Sequence, residues 1–185
     1  MQCDAQMFLR LAESAGALAV LDIEATGLRG DYNSVLVVSI KPVGRKVFSL
    51  TCRKPGDDKA LVIAAKAALD DFAAWITYYG RGFDIPMLNT RLLQHGAMPL
   101  AKRHHVDMYY HLRAHLLTAR RSQGHLLSWL DTPEKKMGVS AEAWNAVLRD
   151  PTTHMPTMVK RCESDTKGLE GLYMRTKHVI AEVTR

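Results

Sequence analysis

The feature of this sequence that most restricts its fold is a short, mainly apolar run at Leu18–Ile23, which spells LAVLDI. Gly16 precedes the run and Thr26–Gly27 follows it, and these residues favour turns. A short apolar run bounded by turn residues is typical of a strand buried inside a sheet. We therefore predict that the first strand of the fold occupies this run.

The rest of the chain begins with strand patterns and continues with helical ones. Two β-branched runs, Val35–Lys41 and Arg45–Thr51, flank the turn residues Pro42–Val43–Gly44, which predicts a hairpin. Short strands are predicted at Ile76–Tyr79 and within His104–Tyr109. Apolar residues at helical spacing predict helices at Met1–Ser14, Lys59–Trp75, Asp84–His95, Asp107–Leu117, His125–Leu130, Ala141–Leu148 and Met155–Lys177. This order predicts an α/β fold in one domain at residues 1–185: a mixed sheet of three antiparallel-type strands and then helix-separated strands, flanked by helices.

The chain carries a net charge of +6 at pH 7, which favours an anionic partner, most often a nucleic acid. Between Pro99 and His125, Asp107 is the only acid. The basic residues of that segment are Lys102, Arg103, Arg113, Arg120 and Arg121. A solvated surface is the alternative interpretation of this segment.

Other classes of protein are disfavoured by the composition. No apolar run approaches the roughly 20 residues that span a membrane, and charged residues interrupt Met1–Ser14, so we expect neither a membrane span nor a secretory signal. The cysteines are odd in number and far apart, which fits neither a disulfide framework nor a zinc ribbon: Cys3, Cys52 and Cys162. We expect free thiols and a cytoplasmic location.

Two acids, Asp22 and Glu24, stand at the end of the first predicted strand. Alternate residues of a strand face the same side, so both carboxylates point one way. Acids at the end of a buried strand need cations or hydrogen-bond donors nearby, and oxygen ligands of this kind suit Mg²⁺ or Mn²⁺. The turn at Thr26–Gly27 can offer backbone N–H groups to a substrate. A solvated strand end is the alternative interpretation.

Two further acids, Asp84 and Asp165, stand in distinctive contexts. Asp84 follows the loop Gly80–Phe83 and is placed to cap the helix that continues to His95. Asp165 lies in the last long helix, where a lone acid is usually solvated. Neither residue alone indicates a site.

Three segments together resemble, in order, the motifs of the DEDD superfamily of 3′→5′ exonucleases, which has a ribonuclease-H-like fold: LDIEATGL, YYGRGFDIPML and RCESDTKGLEGLY. The resemblance covers residues 18–177, and the second and third motifs look closest to stand-alone bacterial and phage exonucleases related to the proofreading domains of B-family DNA polymerases. It implies that Asp22, Glu24, Asp84 and Asp165 hold two metal ions, Mg²⁺ or Mn²⁺. One ion would activate the attacking water and the other would stabilise the leaving 3′-oxygen.

The chain departs from this family where a proton acceptor is expected. Members usually have a Tyr four residues, or a His five residues, before the last Asp, and Arg161 and Lys160 occupy these positions. Arg stays protonated in proteins, and Lys acts as a base only with a strongly lowered pKa. Either side chain can instead hold the scissile phosphate. His154, in a predicted loop, is a substitute base or an ordinary surface residue.

Several other residues are candidate substrate contacts. Tyr79 replaces an Asn that is frequent in relatives, and it either stacks on a base or belongs to the core. Leu28 matches a position that packs on the terminal base, with a turn contact as the alternative. The full set of predicted contacts is Thr26, Gly27, Leu28, Tyr79, Phe83, Lys160 and Arg161.

Nearby polar residues receive plainer interpretations. Asp107 is first of all a helix cap, and His111 and His115 are ordinary helix residues because HLRAH lacks the Glu of a zinc protease motif. Lys135–Lys136 is a solvated pair, with a phosphate contact as the alternative.

The resemblance therefore predicts a metal-dependent 3′→5′ exonuclease that acts on single-stranded DNA and releases nucleoside 5′-monophosphates. A 3′-end-binding module with a degraded site, an endonuclease and an RNA-trimming ribonuclease are the alternatives. A polymerase, or a replication or repair protein, is a conceivable partner that the sequence does not identify.

Overall fold

Five strands form one mixed sheet in the computed structural model, which describes residues 4–180. In chain order they are β1 Leu18–Ala25, β2 Val35–Pro42, β3 Phe48–Thr51, β4 Ala74–Thr77 and β5 His104–Asp107. Their order across the sheet is β3-β2-β1-β4-β5. Strands β1, β2 and β3 pair antiparallel, whereas β4 and β5 run parallel to β1. The predicted α/β class and mixed sheet are confirmed.

Helices cover both faces of this sheet. They are α1 Ala5–Ser14, α2 Lys59–Asp70, α3 Asp84–Gln94, α4 Met108–His115, α5 Gln123–Trp129, α6 Ala141–Arg149 and α7 Pro151–Thr176, followed by a short 3₁₀ turn at Lys177–Val179. Because successive strand residues point to opposite faces, β1 contributes to two cores. Ala19, Leu21 and Ile23 belong to one hydrophobic cluster, and Leu18 and Val20 to another. This two-sided cover explains why the first four residues of the strand, Leu18–Leu21, are all apolar.

The region between α2 and α3 differs from the prediction. The helix predicted over Lys59–Trp75 ends at Asp70, and Trp75 lies in β4 with its indole N–H donating to the Leu69 carbonyl at 3.0 Å. Pairing of β4 with the start of β1 moves the strand earlier than predicted, so Tyr79 lies outside it. The sequence does not show where α2 ends, because alanine and other apolar residues continue from the helix into β4 and are compatible with a helix in both segments.

Two predictions about helix starts are wrong. Phe83 occupies the N-cap position of α3, and Asp84 is the first helical residue, so Asp84 does not cap this helix. His154 lies within α7 instead of a loop, because the helix begins at Pro151 after a cap by Asp150. The Asp150 carboxylate accepts the Thr153 N–H at 3.2 Å, and proline suits a first helical position, where no N–H is needed.

Cys52 and Cys162 are buried free thiols, as predicted, whereas Cys3 lies outside the described residues. The predicted N-terminal helix is present from Ala5 to Ser14, and its first residues also lie outside that part. Within residues 4–180, every helix is too short or too polar to cross a membrane.

Candidate metal centre

Three carboxylates meet where β1 ends against α7. Asp22, Glu24 and Asp165 each offer one oxygen, and these oxygens lie within 4.8 Å of one another. The two strand acids point to the same side because they alternate along β1, as predicted. Asp165 reaches them from the middle of α7, which packs against β1 and β2. Residues far apart in the chain thus converge on one group.

Asp84 lines the same cavity but does not belong to this three-carboxylate group. Its side chain is buried, and its Oδ1 accepts the backbone N–H of Ile23 at 3.2 Å. The start of α3 is thereby joined to β1 between the two strand acids. This hydrogen bond holds Asp84, the fourth predicted carboxylate, in the wall of the cavity beside the other three acids.

The electrostatics of the site oppose ionisation of its acids. Burial, and then the negative charges of Asp84, Asp165 and Glu24, raise the pKa of Asp22 well above its usual value. Burial also raises the pKa of Glu24, against the opposing effect of Arg161. Burial raises the pKa of Asp84 to about 7, with contributions from Asp107 and Glu24. A bound cation would favour the charged forms of all these groups.

One oxygen of Asp165 provides a test of whether a cation fits here. Its Oδ1 is buried and, among the described residues, has no hydrogen-bond partner. Buried polar atoms in proteins almost always have a partner, so an unsatisfied carboxylate oxygen beside two other acids indicates a missing ligand. Clustered carboxylates are also the donor set that Mg²⁺ and Mn²⁺ prefer. The residues present fit a divalent cation.

Two cationic side chains already contact the acids. Arg161 Nε lies 2.5 Å from Glu24 Oε1, and its guanidinium lies 5.9 Å from the centre of the Trp144 ring. Lys136 Nζ lies 3.0 Å from Asp165 Oδ2. The sequence predicted that Lys136 forms a solvated pair with Lys135, with a phosphate contact as the alternative. Both side chains are exposed, and Lys136 in addition pairs with Asp165. It lies in the irregular segment between α5 and α6, where no local pattern indicates a contact.

Cys162 packs behind the acids. Its thiol is fully buried and contacts the Asp22 backbone oxygen at 3.3 Å. Burial and the adjacent Asp22 raise the pKa of this thiol well above its usual value, so it remains protonated and donates. It supports the position of Asp22 rather than acting as a nucleophile.

A cavity of about 580 Å³ opens over the carboxylates. The predicted contacts that line it are Gly27, Leu28, Tyr79, Phe83 and Arg161. Thr26 lies in a neighbouring pocket, where its hydroxyl accepts the Ser34 N–H at 3.0 Å. Lys160 is exposed and does not line the cavity. His154 does not line the cavity either. Thr26 and Lys160 are therefore not brought to the acids.

The aromatic and polar candidates near the cavity can now be placed. Tyr79 is 46% exposed, which excludes the interpretation as a core residue, and Leu28 is 80% exposed at the rim. Asp107 caps α4, as predicted, by accepting the Tyr109 N–H at 3.2 Å. His111 and His115 are residues of α4, with His115 Nδ1 lying 2.8 Å from the His111 carbonyl oxygen.

Comparison with known proteins identifies the fold and the superfamily of this chain. No curated protein matches the sequence of this chain. Among solved structures, the fold is similar to that of the family B DNA polymerase from the hyperthermophilic archaeon Pyrobaculum calidifontis, with a TM-score of 0.64 and 16% sequence identity. The match covers 85% of this chain and 24% of the polymerase chain. The family model of the RNase H superfamily matches residues 19–175, and the chain belongs to that superfamily.

Proposed function

We propose that this member of the RNase H superfamily is a metal-dependent 3′→5′ exonuclease that hydrolyses single-stranded DNA and releases nucleoside 5′-monophosphates. Superfamily membership supports a nuclease. The observation that carries the proposal is the convergence of Asp22, Glu24 and Asp165 in an open cavity that Asp84 also lines. A module that only binds nucleic acid gains nothing from clustered negative charge beside phosphates.

The four carboxylates would hold two ions, Mg²⁺ or Mn²⁺. When bound, the ions would lower the pKa of the attacking water and stabilise the charge on the leaving oxygen. The chain supplies a fixed arrangement for this chemistry, since the strand, both helices and the buried thiol of Cys162 hold the acids in place. Arg161 and Lys136 add two cationic donors beside the acids, where they can bind oxygens of the scissile phosphate.

The proton acceptor must differ from the usual Tyr or His of the family. Among the described residues, none that lines this cavity is a histidine. Tyr78 lines it, but its hydroxyl donates to the Arg121 carbonyl, and burial raises its pKa above the usual value. Arg161 stays protonated. The carboxylates and the exposed phenol of Tyr79 are the other candidate proton acceptors in the cavity wall.

Recognition of a 3′ end would use the rim of the cavity. Leu28 presents an exposed apolar side chain there, suited to packing against a terminal base. Phe83 and Gly27 line the wall between this rim and the acids. These three residues were among the predicted contacts and line one cavity. The proposed direction of digestion rests on the resemblance of the sequence motifs.

Digestion of single-stranded DNA oligonucleotides labelled at the 3′ or the 5′ end tests the proposal. With Mg²⁺ or Mn²⁺, we expect stepwise shortening from the 3′ end, which Asp22→Asn abolishes. Asp71→Asn removes the charge of an exposed acid at the end of α2 and should digest DNA normally. Equal digestion by the wild type and the Asp22 variant would overturn the assignment.

Two further substrates separate the alternatives. Cleavage of a circular single strand would indicate an endonuclease, and preferential shortening of an RNA oligonucleotide would indicate an RNA-trimming ribonuclease. Tight binding of a 3′ end without turnover, even in Mn²⁺, would indicate a binding module with a degraded site. That outcome has a structural argument in its favour, because Arg161 and Lys136 already pair with Glu24 and Asp165.

A further inference from the structure

The loop between β4 and α3 holds Tyr79 in an unusual backbone conformation. Its φ angle is +63°, in the left-handed region that side chains with a Cβ rarely adopt. A non-glycine residue in this region is strained and persists only where the surrounding structure imposes the conformation. The residues that impose it here therefore indicate what the conformation achieves.

A buried carboxylate and a missing Cβ both act on this loop. Asp107 is fully buried and, besides the Tyr109 N–H, accepts two backbone N–H groups of this loop, that of Tyr79 at 2.8 Å and that of Arg81 at 2.9 Å. At Gly82, a Cβ atom would lie 2.5 Å from carbons of the Tyr79 ring, which no real contact permits. Both features serve one result: the ring of Tyr79 stands in the cavity wall with nearly half of its surface exposed.

The exposed ring belongs to a group of aromatic side chains. The rings of Tyr79 and Tyr110 are stacked, 26° from parallel with centroids 6.0 Å apart, and Tyr110 is 37% exposed. Tyr109 meets both rings edge-on, at 5.1 and 5.2 Å, and so supports them from one side. The Arg81 guanidinium lies 5.8 Å from the centre of the Tyr110 ring. Packing in a core does not explain this group, since its two stacked rings remain exposed.

We propose that Tyr79 and Tyr110 form a stacking platform for a base of the substrate strand upstream of its 3′-terminal nucleotide, with Arg81 beside the strand backbone. Every base has an aromatic face, so exposed tyrosines with a neighbouring guanidinium suit a single strand without selecting its sequence. Arg81 also lines a second pocket with Lys102 and Arg103, which extends positive charge away from the acids. The platform rests on the proposed function in taking single-stranded DNA as the ligand.

Removing the ring without altering the backbone tests the platform. Tyr79→Asn eliminates the aromatic face, and Asn tolerates a positive φ, so the loop conformation is retained. Tyr79→Phe keeps the ring, and Tyr32→Asn removes an exposed tyrosine from a different pocket. Affinity is measured by fluorescence anisotropy with 5′-labelled single-stranded DNA and Mg²⁺, in the Asp22→Asn background so that the strand stays intact.

We expect Tyr79→Asn to weaken binding about 5- to 150-fold, the range for loss of one stacked base, and the other two substitutions to change it less than about twofold. A second arm places one abasic site at successive positions from the 3′ end. An abasic site at one upstream position should weaken binding to the protein that has Tyr79. An abasic site at the same position should not weaken binding to the Tyr79→Asn protein any further.

Unchanged affinity in Tyr79→Asn, or identical abasic profiles with and without the ring, would overturn the platform. If the wild type digests DNA and Tyr79→Asn binds DNA normally, the proposed function stands and the platform is refuted. If the protein binds DNA with the expected abasic profile but the wild type never shortens a strand, the platform stands and the proposed function is refuted. Thermal unfolding followed by circular dichroism checks that each variant is folded.

Discussion

Asp84→Asn should stabilise the metal-free protein at alkaline pH, although Asp84 is a candidate metal ligand. The substitution is nearly isosteric, and the amide oxygen can still accept the Ile23 N–H that Asp84 accepts at 3.2 Å. What it removes is a charge in a buried position. Burial raises the pKa of Asp84 to about 7, and the charges of Asp107 and Glu24 add to this effect.

The size and the pH dependence of the gain follow from this pKa. In an unfolded chain the pKa of an Asp is about 3.9. Because the folded pKa of Asp84 is higher, the protonated side chain contributes fully to stability below about pH 4, and the contribution falls as the pH rises through 7. A shift of about three units corresponds to about 4 kcal/mol. For a chain of this length, each kcal/mol moves Tm by about 2–4 °C, so Tm should rise by about 8–16 °C at pH 8.

Thermal unfolding in EDTA at several pH values between 4 and 8 measures this effect. The gain in Tm of Asp84→Asn over the wild type should be near zero at pH 4 and largest at pH 8, whereas Asp71→Asn should show no such trend. With excess Mg²⁺ the difference in Tm between Asp84→Asn and the wild type should shrink or change sign, because the metal stabilises the wild type by mass action. A gain that is the same at every pH, or no gain at pH 8, would refute the electrostatic argument.

Three other substitutions test separate contacts. Arg161→Gln should strengthen Mn²⁺ binding by about tenfold, because the ion no longer competes with a partly buried guanidinium for Glu24. Isothermal titration calorimetry measures this affinity, and an unchanged value would contradict the reasoning. Asp58→Ala should lower the free energy of unfolding by about 3–5 kcal/mol in urea, since it leaves the buried Arg91 without its carboxylate. Gly82→Ala should weaken binding of single-stranded DNA but not of Mn²⁺, since the new methyl group displaces the adjacent tyrosine ring; parallel losses of both would contradict this.

Local rules are sufficient for the parts of the site that one element supplies. The alternation of strand residues predicts that Asp22 and Glu24 face the same side, and the structure agrees. The position of Arg161, one helical turn before Asp165, likewise follows from the sequence, and the two residues share the cavity. In both cases the relevant geometry depends on residues only a few positions apart.

The same rules fail where a distant segment decides the outcome. An Asp before a helix normally caps it, but the backbone N–H of Ile23 binds the Asp84 side chain, and the N-cap position belongs to Phe83. The contact between Lys136 and Asp165 depends on the path of an irregular segment over α7, which no periodicity reveals. Trp75 follows an alanine-rich helix without a clear boundary, and only pairing with β1 makes its segment a strand.

The separation of the site residues along the chain has a consequence for biosynthesis. Glu24 and its partner Arg161 lie 137 residues apart, and Asp165 follows on the same helix. A nascent chain that still lacks α7 can form the hairpin of β1 and β2, but it has neither the third carboxylate, Asp165, nor Arg161, the cationic partner of Glu24. The three carboxylates therefore cannot meet until the ribosome has released the segment that contains Asp165, and fragments that end before α7 lack the group.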